Sequence, residues 1–236
     1  MRIGTWNCRL NIDRKRAALD SLRLDVAVIP ESSARPSLAE EAGVSHAWTG
    51  RRHEKGLGVF AVGDWSLVAV DEVDPLPWCL PVHARHRGGS ELLVLAVWTV
   101  KNAGDGRPGY ADQFAAVIER WEQQLRCDAV VVAGDLNASL QGPSAGGHRR
   151  NLERLASLGT HSAYQLAHGP VGAADEPPTL RWTGRGGRHF HYHCDHVLVS
   201  AALTPRVRAA EVGTLADWVE SGLSDHCPVV AELAVD

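Results

Sequence analysis

No apolar run in this chain is long enough to span a bilayer. The opening residues, Met1-Arg2-Ile3-Gly4-Thr5-Trp6-Asn7, lack the apolar centre of a secretory signal. Basic excess is missing too. The formal net charge is -4, so no strong positive field announces a nucleic-acid partner, although local basic loops can act within an acidic protein. Cysteine is sparse. Cys8, Cys79, Cys127, Cys194 and Cys227 are odd in number and scattered, with no close pair to suggest a zinc knuckle or redox motif. That usage predicts a reducing, cytoplasmic setting. No internal repeat or low-complexity tail is visible. What is present is ordinary globular material: 236 residues, 44% hydrophobic and 22% charged, enough for one domain over 1–236 with a sizeable core.

The pattern is organised around Val130-Val131-Val132-Ala133-Gly134-Asp135-Leu136-Asn137. Its apolar, β-branched run predicts a buried central strand that stops at Gly134, where glycine permits a sharp turn. Strand periodicity then places Asp135 and Asn137 on one side of the chain. A carboxylate that only accepts, beside an amide that donates and accepts, suits holding a water or phosphate oxygen next to a metal. Gly, Asp and Asn are equally ordinary turn residues.

Arg2 to Asn7 reads as a short strand, followed by a helix capped by Asp13 and running to about Arg23. Asp25 to Pro30 reads as a buried strand whose ladder Pro30 stops, with Glu31 at its end. Pro36 to Ala42 reads as a short helix. Short apolar runs between Val44 and Val97, separated by Gly, Asp and Pro, predict a β-meander. Asp112 to Arg126 is the clearest helix, with Phe114, Val117, Ile118, Trp121 and Leu125 as its stripe. A helix over Asn151 to Leu158 and four strands, Thr179–Thr183, Cys194–Val199, Arg206–Val212 and Pro228–Leu233, follow. The Gly- and Pro-rich stretches Ser139–Arg149 and Gly169–Pro178 read as surface loops near the functional end. The mixture predicts two mostly antiparallel sheets packed face to face with helices outside.

Four polar groups each close or open a strand-like run: Asn7, Glu31, the Asp135/Asn137 pair, and Asp225-His226 within Leu223-Ser224-Asp225-His226-Cys227-Pro228. Glu31 offers the carboxylate oxygens that a hard cation such as Mg²⁺ prefers. An Asp immediately before a His pairs a candidate metal ligand with a candidate acid or base. Together with Thr5-Trp6-Asn7, Val28-Ile29-Pro30-Glu31, Gly134-Asp135-Leu136-Asn137 and Cys194-Asp195-His196-Val197-Leu198-Val199-Ser200, the Ser-Asp-His-Cys-Pro segment resembles the ordered motif set of the endonuclease/exonuclease/phosphatase superfamily. That group includes pancreatic-type DNases, exonuclease III-like AP endonucleases, inositol polyphosphate 5-phosphatases and sphingomyelinases.

The resemblance covers essentially the whole chain and implies an α/β fold, a four-layered α/β/β/α sandwich. It implies Mg²⁺ as cofactor, with Mn²⁺ as a substitute, held by Glu31 with Asn7 and Asp225. It implies that Asp135 positions or deprotonates the attacking water and that Asn137 orients it. His226 contacts the scissile phosphate as a base or a charged stabiliser, and Asp195 holds His226 in its tautomer. Where many relatives carry a His, this chain has Trp98 or Thr99. Asn102 and Tyr110 instead resemble the AP-endonuclease branch, with Tyr110 as phosphate contact or acid. Arg9 stands where that branch tends to have Asn or Asp, and it is read as facing substrate phosphate. The insertions that grip and kink duplex DNA are not recognisable.

His189, His191 and His193 alternate along one extended segment, followed by His196, a spacing that suits either a polar strand face or a transition metal. His193 and Arg181 are candidate substrate contacts, and Arg149, Arg150, Arg185 and Arg188 bracket the same end of the chain as a phosphate rim. Trp182 and Trp218 are candidate stacking aromatics. Trp48, Trp65 and Trp121 read as structure. The function expected is a Mg²⁺-dependent nuclease acting on DNA or RNA. The alternatives are an enzyme for small-molecule or lipid phosphate esters and a catalytically silent scaffold. Neither a membrane span nor an obligate protein partner is expected.

Overall fold

The structure is a computed structural model and describes residues 1–71, 74–101, 106–169 and 176–235. In chain order the strands are β1 (Arg2–Thr5), β2 (Val26–Ser32), β3 (Ser45–Arg52), β4 (Lys55–Ala61), β5 (Trp65–Ala69), β6 (Cys79–His86), β7 (Glu91–Trp98), β8 (Val130–Asp135), β9 (His161–Ser162), β10 (Leu180–Thr183), β11 (His189–Tyr192), β12 (Asp195–Val199), β13 (Val207–Val212) and β14 (Val229–Leu233). The α-helices are α1 (Arg16–Ser21), α2 (Tyr110–Arg120), α3 (Glu122–Cys127), α4 (Ala145–Ser157) and α5 (Ala163–His168).

Two six-stranded sheets form, in the orders β13-β14-β1-β2-β4-β3 and β5-β6-β7-β8-β12-β9, with β10-β11 as a separate hairpin. Each large sheet has one parallel pair near its middle, β1/β2 and β7/β8, and antiparallel neighbours elsewhere. The parallel pairs need crossovers, which α1 and the α2–α3 pair supply.

Alternation along the central strands builds the layers. On β7, Leu92, Val94 and Ala96 face the opposite sheet, while Leu93, Leu95 and Val97 face the helices. On β8, Val131 and Ala133 point inward and Val130 and Val132 outward. Both faces are buried, which is why these runs read as continuously apolar. Phe114, Val117, Ile118 and Leu125 of α2 and α3, with Leu155 of α4, cover the second sheet. Leu19 and Leu22, with Trp218 and Val219 of a π-turn at Ala216–Glu220, cover the first. The α/β/β/α sandwich is as the sequence implied. No described helix is long and apolar enough to cross a membrane.

Local differences have physical causes. The helix expected from Asp112 to Arg126 breaks at Trp121 (φ -113°, ψ 17°), whose ring packs into the core beneath α2. Asp13 lies inside a 3₁₀ turn at Ile12–Lys15, and its carboxylate accepts from the backbone N–H and hydroxyl of Ser37. It therefore ties down the turn at Ser37–Glu40 instead of capping its own helix. Within the loop expected over Ser139–Arg149, α4 already begins at Ala145. The meander divides between the sheets, with β3 and β4 in the first and β5 to β7 in the second.

Neither β8 nor β2 stops where expected. Gly134 lies within β8, paired with Val97 on one side and His196 on the other. Its φ is +145°, and a Cβ there would lie 1.8 Å from the Val97 carbonyl oxygen. Glycine is required for close approach of β7, not for a turn. Pro30 pairs with Leu57 and its carbonyl accepts from the Cys8 N–H, so β2 continues through a bulge to Ser32.

Candidate active site

Strand direction gathers the polar groups at one end of the sandwich. β1, β2, β7 and β8 finish there, delivering Asn7, Glu31, Thr99 and Asp135. β12 and β14 run the opposite way, so their entries bring Asp195 and His226 to the same edge.

Asp135 is wholly buried and accepts three N–H groups. Asn7 Nδ2 reaches Oδ2 at 2.9 Å, Asn137 N reaches Oδ1 at 2.8 Å, and Asn137 Nδ2 reaches Oδ2 at 2.9 Å. Asn137 also donates to the Thr99 carbonyl at 2.9 Å. Its backbone is left-handed, with φ 45°. The pair is therefore held by an Asx-type turn, not by strand alternation.

His226 Nδ1 lies 2.8 Å from Asp195 Oδ2, so the ring donates there and turns Nε2 toward Asp135 Oδ2 at 4.0 Å. Burial pushes the Asp135 carboxyl up to about 7, aided by Asp195 and opposed by His226 and the amide donors. Burial lowers His226, but the carboxylates of Asp195 and Asp135 outweigh it and hold the imidazole at about 10. The ring is a cation at neutral pH. Asp135, Asp195 and His226 offer ligand atoms within 4.8 Å of one another. Asp135 is taken up by the three amide donors and His226 Nδ1 by Asp195 Oδ2, while Asp195 Oδ1 is buried without a partner; the trio is a charge- and proton-handling line.

Oxygen ligands for a hard cation lie nearer the surface. Glu31 Oε2 faces the Lys55 ammonium at 2.9 Å, and Asp225 Oδ2 faces Arg9 Nε at 3.7 Å. Asn7 Oδ1 accepts from the Arg9 N–H at 3.0 Å. Lys15, whose ammonium is destabilised by burial, feels both Glu31 and Asp225. Two carboxylates that each already draw a cation, with a neighbouring amide oxygen, fit a divalent ion of the Mg²⁺ type.

Tyr110 opens α2 and lines a cleft of about 610 Å³ with Glu31, Lys55, Trp98 and Asn137. Burial and then the Asp135 charge raise its phenol. The Lys55 ammonium sits 5.4 Å from the Trp98 ring centre. Across the site, β10 bridges to His226 through Leu180, and the Arg181 N–H donates to the Asp225 carbonyl at 3.0 Å. The Arg181 guanidinium pairs with Glu220 at 3.2 Å. Trp182 is 51% exposed and packs at a tilt against Phe190, their ring centres 5.5 Å apart. Trp218 is buried against Trp6 and is structural. Asn102 lies outside the described residues.

His193 is buried and, with His191, lines a small cavity separate from the Glu31–Asn137 cleft. Several positioning groups escaped the sequence reading. Thr179 Oγ1 accepts the Cys194 and Asp195 N–H groups at 2.9 and 3.0 Å. Ser224 Oγ donates to the Asn7 carbonyl at 2.7 Å and accepts from the His226 N–H at 3.1 Å. Trp6 Nε1 donates to the His226 carbonyl at 3.1 Å. Ser224 and Trp6 lie within the motifs already noted, whereas Thr179 and Lys55 carry no local signal.

The structure is similar to three solved structures in particular. The 3′ phosphatase NExo from Neisseria, bound to a product DNA hairpin, matches with TM-score 0.71 and 18% identity over 100% of both chains. The Xenopus laevis APE2 catalytic domain matches with TM-score 0.75 and 17% identity over 99% of this chain and 91% of that one. An AP endonuclease from Archaeoglobus fulgidus matches with TM-score 0.69 and 16% identity over 100% of both chains. At these identities the likeness establishes the fold. No curated protein sequence matches this chain. The model of the Endonuclease/Exonuclease/phosphatase family matches residues 4–226, spanning every strand-end group described above, and the chain belongs to that family of enzymes acting on phosphate esters.

Proposed function

We propose that this protein is a Mg²⁺-dependent nuclease that hydrolyses phosphodiester bonds of nucleic acid with water as the nucleophile. The observation that carries the reading is the buried Asp135–His226–Asp195 line beside the cation-attracting Glu31 and Asp225. Glu31, with Asn7 and Asp225, would hold Mg²⁺, which would neutralise charge on the non-bridging phosphate oxygens; Mn²⁺ would suit the same oxygen set. Asp135, with its carboxyl near 7, takes the proton of the attacking water while Asn137 orients that water. The water oxygen bonds phosphorus and the ester P–O bond breaks. His226, kept cationic by Asp195, stabilises the charge that develops on the phosphate. Tyr110 keeps its proton at neutral pH and donates it toward the leaving oxygen.

Two features favour a polymer over a small ester. The Trp98–Lys55 cleft extends from the site on the Glu31 side, and the β10–β11 hairpin extends from the His226 side. The hairpin presents Trp182, with Arg188 over Phe190 at 5.1 Å, as a stacking surface beside basic groups. Arg9, mostly exposed at the site's edge, is a phosphate contact, and Arg181 joins it by exchanging Glu220. The scattered cysteine usage suits the reducing, cytoplasmic setting we propose.

The test is a cleavage panel at fixed Mg²⁺ with EDTA controls: single- and double-stranded DNA, abasic-site duplex, RNA and bis-p-nitrophenyl phosphate. Metal-dependent polymer cleavage, reduced about 10²–10⁴-fold in Asp135→Ala, is expected. Turnover of the small diester alone would replace the nuclease with an enzyme for small or lipid phosphate esters. Full activity in His226→Ala would overturn the mechanism.

A further inference from the structure

We propose that the cleft lined by Trp78 and Trp98 takes an unpaired base of the substrate strand, so that the substrate class is nucleic acid that is single-stranded beside the scissile phosphate. The inference rests on the nuclease reading above and adds a specificity to it. Trp98 ends β7, pairs in register with Asp135 of β8, and continues the inward face of Val94 and Ala96 to the open edge between the sheets. Its indole is partly buried against that core, and Trp78 is partly buried against the helix-side core. Lys55 reaches from Glu31 at 2.9 Å to the Trp98 ring centre at 5.4 Å, so the ring stands one side chain away from the Glu31 carboxylate. The cleft that opens there, of about 610 Å³, lies in the size range of small-ligand sites.

Both walls of the cleft are fixed by hydrogen bonds. On one side, the Trp98 N–H donates to the Trp78 carbonyl at 3.0 Å, and Trp78 Nε1 donates to the Gln113 carbonyl at 2.9 Å. Gln113 is wholly buried. Its amide donates to the Val100 and Pro108 carbonyls at 2.7 and 2.8 Å and accepts from the Val100 N–H at 3.0 Å. On the other side, Trp48 lies across Gly56, where a Cβ would collide with its ring, and Nε1 donates to the Ser32 carbonyl at 3.2 Å. The Ala34 N–H donates to the His53 carbonyl at 2.7 Å, which ties the β3–β4 turn to the chain beyond β2. A platform held in place beforehand loses little freedom when a ligand arrives.

The lining matches a nucleotide in two parts. Arg51, Arg52, Lys55, Lys101 and Arg107 face a single lining carboxylate, Glu31, in a chain whose formal net charge is -4. These cations suit the phosphates of a strand, and the indoles suit the flat face of a base. A simple phosphate ester would use the cations and leave both indoles without a partner. A base within a duplex is paired and stacked on both faces, so it would have to be flipped out to reach Trp98. A single strand presents its bases without that cost, and stacking accepts any of them.

Binding separates the base from the phosphates. Fluorescence anisotropy in EDTA, on the full-length protein, compares a short labelled oligothymidylate, an abasic chain of equal length and charge, and a duplex. The wild type should bind oligothymidylate about tenfold or more tighter than the abasic chain. Trp98→Ala should lose roughly 5–100-fold of its affinity for oligothymidylate and none for the abasic chain or the duplex. Trp98→Phe, which keeps an aromatic face, should retain most of the preference, so a folding defect and a lost platform are told apart. Lys101→Ala should weaken both single chains alike and reduce the salt slope by about one. Equal binding of oligothymidylate and the abasic chain by the wild type, or an equal loss for all three probes in Trp98→Ala, would overturn the proposal. Polymer cleavage alongside either result leaves the nuclease reading standing and removes this one, whereas turnover of the small diester alone removes both.

Discussion

Replacing Asp135 by Asn should make the protein more stable at alkaline pH while removing its activity. The unfolded carboxyl titrates at 3.8 and the folded one at about 7, net of the opposing pull of His226. Between those values the folded state holds a proton that the unfolded chain has lost, so wild-type stability falls as pH rises through that window. At over 1 kcal/mol per pH unit the whole interval amounts to ~4 kcal/mol, of which ~3 kcal/mol lies between pH 5 and pH 7. Asn does not titrate and escapes this loss. It has its own cost, because an amide cannot accept from all three of Asn7 Nδ2, Asn137 N and Asn137 Nδ2. One unmet buried donor costs about 1–3 kcal/mol, but at every pH alike. The Tm of Asp135→Asn minus that of the wild type should therefore grow by roughly 5–10 °C from pH 5 to pH 8, at about 2–4 °C per kcal/mol for a chain of this size. Differential scanning calorimetry in EDTA measures it without metal linkage. A difference that stays constant across pH would refute the burial-raised carboxyl and, with it, Asp135 as a base tuned to neutrality.

Other expectations follow from the same geometry. The kcat/KM profile should rise through pH 7 as Asp135 loses its proton and fall near pH 10 as His226 loses its own, as a rate–pH series would show. Glu31→Gln should raise the Mg²⁺ needed for half-maximal activity about tenfold or more, because a charged ligand is lost. Lys55→Met should lower it about fivefold, since a half-exposed competing ion pair is worth about 1 kcal/mol. Unchanged half-saturation in both variants would move the metal away from Glu31. Gly134→Ala should cost roughly 2–6 kcal/mol in thermal denaturation, combining a strained backbone residue with an overpacked contact against Val97. Tyr110→Phe should lower kcat about 10²-fold with Tm unchanged; an unaffected rate would return Tyr110 to a packing role.

The layers were legible because burial on both faces writes itself into sequence. Val130 to Ala133 and Leu92 to Val97 are apolar without a gap, and only a strand sandwiched between a sheet and a helix layer needs that. The strand-end polar groups were legible for a related reason: an apolar run that terminates in a carboxylate or amide is conspicuous. The reasons those groups converge were not legible, because they lie in contacts between distant segments. Gly134 answers to the Val97 carbonyl, Asp195 to the Thr179 hydroxyl, and His193 to His196 on β12.

Backbone conformation was the other hidden variable, and it decides where the site's two best-marked residues point. Alternation along β2 sends Val26 and Val28 between the sheets and Ala27 and Ile29 toward the outer layer. By that count Glu31 belongs with Ile29, under the helices. The register with β4 instead slips between Pro30 and Ser32, and Glu31 takes a left-handed φ of 61°. The bulge removes its side chain from the alternation and aims it at Lys55. Asn137, at φ 45°, is re-aimed onto Asp135 in the same way. Left-handed backbone at a non-glycine residue carries a cost of about 1–3 kcal/mol each. Arg9 joins them at φ 50°, so three of the positions nearest the cation and water sites carry that cost. Relaxed strand geometry would turn Glu31 and Asn137 away from the groups they now face. The strain is local to the edge where the chemistry is proposed, and it is what converts two correctly spaced motifs into one site.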